Sequence, residues 1–131
     1  MRYLCIVYAD ERAFDTMSEG DLADLDEASL ANDEELRQSG HLILAQALQP
    51  VASATTVRVR NGRMSATDGP FAETTEQVGG FVFLEARDLN EAIQIAGRMP
   101  MAKVGSIEVR PELDLVKKVR DRHAASDLPR A

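Results

Sequence analysis

Two short segments constrain this chain more than any others: Arg2–Tyr8 (RYLCIVY) and Gly79–Ala86 (GGFVFLEA). Successive side chains of a strand point to opposite faces of a sheet. In the first segment Tyr3, Cys5 and Val7 fall on one face and Leu4, Ile6 and Tyr8 on the other. In the second, Phe81 and Phe83 oppose Val82 and Leu84. A strand with one wet face alternates apolar with polar residues, and neither segment does. Both are therefore expected to be covered on both sides, and any fold for this chain must supply two covers.

The remaining elements follow from caps, turns and period. Ser18, with Asp21 three residues on, is a weaker form of the capping box. It predicts a helix from about Glu19 to Ser39, stopped by Gly40. Leu22, Leu25, Ser29, Asn32 and Leu36 share one stripe of it. Ser29 and Asn32 interrupt that stripe, either as edge residues or as polar groups reaching into a pocket. His41–Leu48 is a second strand, closed by Gln49-Pro50.

Next comes a hairpin. Asn61-Gly62 is the preferred pair for a type I′ two-residue loop. It places Arg60 opposite Arg63, Val59 opposite Met64, Arg58 opposite Ser65, Val57 opposite Ala66 and Asp68 opposite Thr55. Cross-strand partners share a face. Val57, Val59, Met64 and Ala66 are thus expected to point inward, and Arg58, Arg60 and Arg63 outward, against water or an acidic neighbour. Asp88 with Glu91 caps a further helix, whose expected buried face is Leu89, Ala92, Ile93 and Ala96 and which Pro100 terminates. Gly105–Pro111 is a last strand with Ile107 and Val109 on one side. Leu113–His123 reads as a short amphipathic helix and AASDLPRA as a frayed end. One domain over residues 1–111 and a tail over 112–131 result.

The order is β-α-β-β-β-β-α-β. With the hairpin as an insertion, the rest is βαββαβ, the split pattern of ferredoxin-like α+β folds. Two helices cover one face of such a sheet. A second copy, sheet packed on sheet, is the expected cover for the other, giving a homodimer. The C-terminal segment is the rival cover, but it is short and highly charged.

Composition excludes several function classes. The net charge of −7 argues against direct nucleic-acid binding, which needs a basic footprint. No run is long enough to span a membrane. The single cysteine, Cys5, cannot form an internal disulfide, and a cytoplasmic location is the plain inference. From Asp10 to Arg37 the chain holds eleven of its 22 acidic residues against Arg12 and Arg37 alone. That run is either a solvated helix face or a docking surface for a basic partner. There is no catalytic triad, phosphate-cradling glycine loop or metal constellation, so no nucleotide, metal or other cofactor is expected.

The stretch TDGPFAETTEQVGGF, Thr67–Phe81, is the candidate site. Asp68 belongs to the valine face of the hairpin and is expected to point toward the interior or its mouth. An Asx-turn would use the backbone N–H two residues on, but that residue is Pro70, which has none. Gly69 can take angles that a bulkier residue before proline cannot. Pro70 stiffens the loop, and Phe71 is expected to anchor it in apolar packing. Asp68 then either holds the turn or sits partly buried at a pocket mouth. There desolvation would raise its pKa and suit it to act as a general acid or base. Glu73, Thr74 and Glu76 are near in sequence. Gly69, Pro70, Phe71, Glu73, Ser29 and Asn32 are the candidate ligand-binding residues. His41 is a weaker catalytic candidate, with an ordinary strand-end role as its alternative.

These segments carry a family resemblance. ALQP (Ala47–Pro50), TDGPFAETTEQVGGF, EARDLNEAIQIAGRMP and IEVRP together resemble the YCII-related family in its DGPF-motif branch, from Arg2 to about Pro111. The resemblance implies the dimeric α+β barrel form of the ferredoxin-like fold. It implies no settled activity: enzymatic roles are suggested for relatives, and some DGPF proteins are linked to extracytoplasmic-function sigma factors. Shorter members carry a histidine on the first helix that is proposed to pair with an aspartate. This helix has no histidine, so that dyad does not carry over. Two functions compete: a small-ligand site, with or without acid–base chemistry, whose sign is a closed pocket holding Asp68; and a regulatory partner such as a sigma-factor accessory, whose sign is an acidic patch.

Overall fold

A computed structural model describes residues 1–126. Four strands form one antiparallel sheet: β1 (Arg2–Ala9), β2 (Leu42–Ala47), β5 (Gln77–Glu85) and β6 (Ser106–Pro111), in the order β2-β5-β1-β6. Strands β3 (Thr55–Arg60) and β4 (Arg63–Asp68) form a separate two-stranded ribbon. With that ribbon set aside, the strand order and the two long helices between strands are those of the ferredoxin-like α+β class.

The helices form where their caps are. In α2 (Glu19–Gln38) the Ser18 hydroxyl accepts from the Asp21 N–H at 3.0 Å. In α3 (Leu89–Gly97) the Asp88 carboxylate accepts from the Glu91 N–H at 2.9 Å, and Glu91 returns a bond to the Arg87 N–H. Both satisfy N–H groups that a helix start leaves without partners. A five-residue helix that the sequence did not announce, α1 (Glu11–Asp15), follows β1 and is capped by Asp10.

Both long helices lie on one face of the sheet. The core is Tyr3, Cys5, Val82 and Leu84 from the strands, Ala86 just past β5, Leu36 from α2, and Ala92, Ile95, Ala96 and Met99 from α3 and its exit. Ile107 and Val109 pack against it. The face of α3 differs from the sequence reading. Ala92, Ile95, Ala96 and Met99 are buried, at helical spacing, while Leu89 and Ile93 are each 47% exposed. The helix is rotated so that the stripe continuing into Met99 meets the sheet. This extends the apolar contact past the helix end, which the Leu89/Ile93 stripe would not.

Backbone approach explains two glycines. A side chain at Gly80 would bring its Cβ within 2.7 Å of the Gln46 carbonyl oxygen on β2. One at Gly105 would meet the Tyr8 carbonyl oxygen at 2.0 Å. The pairing of β1 with β5 slips by one residue between Val7 and Tyr8, opposite Gly79, a bulge of the kind that re-aims a strand end.

The other face of the sheet is open. Leu4, Ile6, Leu44, Phe81 and Phe83 line a shallow groove of about 450 Å³ on it, bordered by Arg110, Pro111 and Glu112. The two-sided apolar character of β1 and β5 is thus real: the helix side is buried, and on the other side Leu4, Ile6, Phe81 and Phe83 are partly buried among the described residues.

The hairpin has the register expected from Asn61-Gly62, residue for residue, with both loop residues at positive φ. Its apolar face does not point inward. Val57 and Val59 are 59% exposed and Met64 is 73% exposed, because the ribbon stands apart from the sheet. The C-terminal segment is also helical, but over Leu115–Ser126 (α4) rather than Leu113–His123, and nothing in it is buried. Residues 124–126 of the expected frayed end are helical; 127–131 lie outside the described residues.

Candidate functional site

The turn after the hairpin is built by backbone bonds. Gly69 adopts φ +106°, a region open to glycine and closed to most residues. Its N–H donates to the Ala54 carbonyl at 2.8 Å, and its own carbonyl accepts from the Thr56 hydroxyl at 2.9 Å. The turn is therefore clamped to the base of the hairpin. Farther on, the Gln77 side-chain amide donates to the Ala72 and Thr74 carbonyls at 2.8 and 3.0 Å.

Three segments distant in sequence converge beside this turn. Pro70, Glu73, Thr74, Thr75 and Gln77 face Asp10, Glu11 and Arg12 across an open cleft of about 460 Å³, with Val51 at its side. The Glu11 carboxylate accepts from the Val51 N–H at 2.9 Å, tying the start of α1 to the turn after Pro50. The Asp10 carboxylate is gripped by Arg12 through its Nε and one terminal nitrogen, at 3.0 and 2.9 Å. Those bonds, with the Arg12 backbone N–H, hold the Asp10 carboxyl below the usual range. Among the cleft carboxylates, Asp10 and Glu11 are thus committed to protein donors, whereas no donor among the described residues reaches Glu73. Behind the cleft, Glu76 accepts from the Ser106 hydroxyl at 3.0 and 3.1 Å, and the Tyr8 hydroxyl donates to Glu108 at 3.3 Å.

The sequence-derived candidates divide among several places. Pro70 and Glu73 line the cleft, and Gly69 precedes Pro70 at positive φ without lining it. Asp68 pairs with Thr55 as expected, but its side chain is exposed, and no donor among the described residues reaches its carboxylate. The partial burial expected for it is absent because the hairpin's apolar face, on which it lies, is itself uncovered. Phe71 is 76% exposed rather than packed, and the Arg58 guanidinium stacks over its ring at 5.1 Å. Ser29 and Asn32 are half-buried on the stripe of α2 that carries Leu36, and neither lines the cleft. Beside them, burial raises the Asp33 carboxyl, partly offset by Arg37.

His41 sits at the opposite end of the sheet. Its Nδ1 lies 2.9 Å from the Glu85 carbonyl and 3.8 Å from Glu91. The turn joins the sheet at the Gln77 end of β5, so His41 and the turn are about 26 Å apart along the strand. The two do not form one constellation. Among the described residues no cluster of His, Cys, Asp or Glu is placed to hold a metal ion.

Sequence reasoning missed Asp10, Glu11, Arg12, Val51, Thr75 and Gln77. The signal was present: a capping aspartate directly after a buried strand announces a turn at the sheet's end. It was masked by the acidic run that starts there. The run itself is exposed on α2, at Glu19, Asp21, Asp24, Asp26, Glu27, Glu34 and Glu35. Of these Glu34 pairs with Arg37.

The geometry defines a class: an antiparallel α+β domain with both long helices on one face, an open apolar second face, and a polar cleft at one strand end. The chain belongs to the family of the YCII-related domain, whose family model matches residues 1–115. Over 76 residues it is 40% identical to an uncharacterized protein of Rhizobium meliloti (strain 1021), in a match covering 56% of this chain and 61% of that one. The chain therefore spans about three fifths of that relative. Among solved structures it is similar to 5-chloro-2-hydroxyhydroquinone dehydrochlorinase (TftG) from Burkholderia phenoliruptrix in complex with 2,5-dihydroxybenzoquinone. That similarity has 17% identity and a TM-score of 0.47, over 86% of this chain and 94% of that one. Among the described residues no helix is long and apolar enough to cross a membrane.

Proposed function

We propose that this protein binds a small polar ligand in the cleft beside the Asp68–Phe71 turn, and that it does so as a homodimer whose second copy covers the open sheet face. The observation that carries the ligand reading is the convergence of Asp10–Arg12, Val51 and Pro70–Gln77 on one cleft. Pockets that hold ligands place a few polar groups on a preformed wall. Here the wall is fixed by the Glu11–Val51 and Gly69–Ala54 bonds, and Glu73 is the carboxylate left to meet a ligand. A ligand offering a hydrogen-bond donor or a positive group suits it. Asp68, two residues before Pro70 and outside the lining of the cleft, is the candidate general acid or base. The dimer reading rests on Leu4, Ile6, Phe81 and Phe83, which line the groove on the helix-free sheet face and are left only partly buried.

A thermal-shift screen of small polar metabolites tests the ligand reading. At least one compound is expected to raise the melting temperature of the wild type, and to do so less for Glu73→Gln and Asp68→Asn. Compounds that stabilise all three equally, or none that stabilises the wild type, would contradict it.

One observation favours a second reading, in which the protein is a non-enzymatic partner of a basic protein, such as a sigma-factor-associated accessory. The acidic residues of α2 are exposed along most of its length, and the cleft is open rather than closed. Charge of one sign on a surface steers partners of the other. Loss of that partner on reversing Asp24, Glu27 and Glu35, with ligand shifts unchanged, would be the result expected of this alternative.

A further inference from the structure

An asparagine or aspartate precedes glycine at two places in this chain, Asn61-Gly62 and Asp68-Gly69. Such pairs are reactive because glycine has no Cβ to obstruct its own backbone nitrogen. That nitrogen attacks Cγ of the preceding side chain and closes a five-membered succinimide. From asparagine the new C–N bond expels ammonia, and water then opens the ring at either carbonyl, leaving aspartate or isoaspartate. From aspartate the same cycle loses one water and regains one. The structure sets the two pairs apart. At Gly69 the N–H donates to the Ala54 carbonyl at 2.8 Å and the carbonyl accepts from the Thr56 hydroxyl at 2.9 Å, so the attacking nitrogen is held. At Gly62 no acceptor among the described residues meets the N–H, and both loop residues are exposed. Ring closure requires the tip to leave its turn geometry, φ +53° at Asn61 and +74° at Gly62. The strands beside it are unpacked, with Val59 and Met64 more than half exposed, and segments with few buried contacts open cheaply.

We infer that Asn61 is a site of spontaneous modification in the folded protein, deamidating to a mixture of aspartate and isoaspartate, while Asp68-Gly69 is held against the same cyclisation. The other asparagines are protected by their helices. Asn32 lies inside α2, where the Asp33 N–H belongs to the helical ladder. Asn90 lies in the first turn of α3, where the Glu91 N–H donates to the Asp88 carboxylate at 2.9 Å. The two products at the tip differ in consequence. Aspartate followed by glycine is also a favoured type I′ pair, so that form keeps the ladder and adds one negative charge to a loop flanked by Arg60 and Arg63. Isoaspartate routes the main chain through its side chain and lengthens a two-residue loop by one methylene, which the register of Arg60 opposite Arg63 does not accommodate. The ribbon then frays from the tip, while its base stays clamped at Gly69. The inference is independent of the cleft and dimer readings above.

The full-length wild-type chain is incubated in warm, mildly alkaline buffer made with oxygen-18 water, folded in one arm and unfolded by urea in the other. Peptide mapping by mass spectrometry, with fragmentation that separates aspartyl from isoaspartyl products, follows the label, which enters either pair when its ring reopens. In the folded protein, heavy oxygen is expected at residue 61 as both products, on the order of tenfold or more faster than at Asn32 or Asn90, the factor that one hydrogen bond on the attacking nitrogen represents. Unfolding is expected to speed labelling of Asp68 on the order of tenfold for the same reason, and labelling of residue 61 by less. A folded tip that labels no faster than the helical asparagines would overturn the inference. So would unfolding that accelerates residue 61 as much as Asp68, since the tip would then be held as firmly as the clamped turn.

Discussion

Cys5 shows how far burial governs a single residue. Its thiol is fully buried among the core side chains, and that burial pushes its pKa from 9.0 up to about 11. The folded state thus holds the thiol proton more tightly than the unfolded chain. The associated stability is fully present below the unfolded value of 9.0 and is lost as pH rises through about 11. The loss is about 3 kcal/mol. Urea unfolding at about pH 8 and about pH 11 is expected to show the wild type losing that much more than Cys5→Ala, in which other titrating groups are common to both. Parallel pH dependences in the two proteins would contradict it. The buried setting of Cys5 was legible in the sequence, from its place in a two-sided strand. The setting of Asp68 was not. Its register could be read from Asn61-Gly62, but register fixes only the face. Whether a face is covered depends on where the hairpin stands relative to the sheet, and local turn chemistry carries no information about that.

Among the elements, caps and turns were the most legible features. Ser18, Asp88 and Asn61-Gly62 each act through one or two local bonds, and each occurs where the residues place it. The buried stripe of α3 was less legible, because Leu89/Ile93 and Ile95/Met99 are both apolar at helical spacing. Only the docking against Tyr3 and Leu84 chooses between them. Ile95→Ala is expected to cost about 3 kcal/mol, and Ile93→Ala less than about 1 kcal/mol, in chemical denaturation. The reverse ranking would mean that the helix presents its other stripe to the core. The cleft was legible in part. The turn residues Gly69, Pro70 and Glu73 were found, since glycine and proline in succession force a special backbone. The facing wall at Asp10–Arg12 comes from a tertiary meeting of β1's end with the turn, which sequence spacing does not encode.

At the scale of the whole molecule, the strand order and the one-sided helices leave an apolar face that one chain does not close. The hairpin and α4 add exposed apolar residues at Val57, Val59, Met64, Leu115 and Val116. Burying a large apolar side chain is worth roughly 1.5–3 kcal/mol, so a second copy that covers these groups gains more than ordinary surface contacts give. Sedimentation velocity of the wild-type chain at micromolar concentration measures this directly. The expected result is a species of twice 14.4 kDa that Phe81→Glu converts to the single mass. A wild type sedimenting at 14.4 kDa, its sheet face open to water, would contradict it.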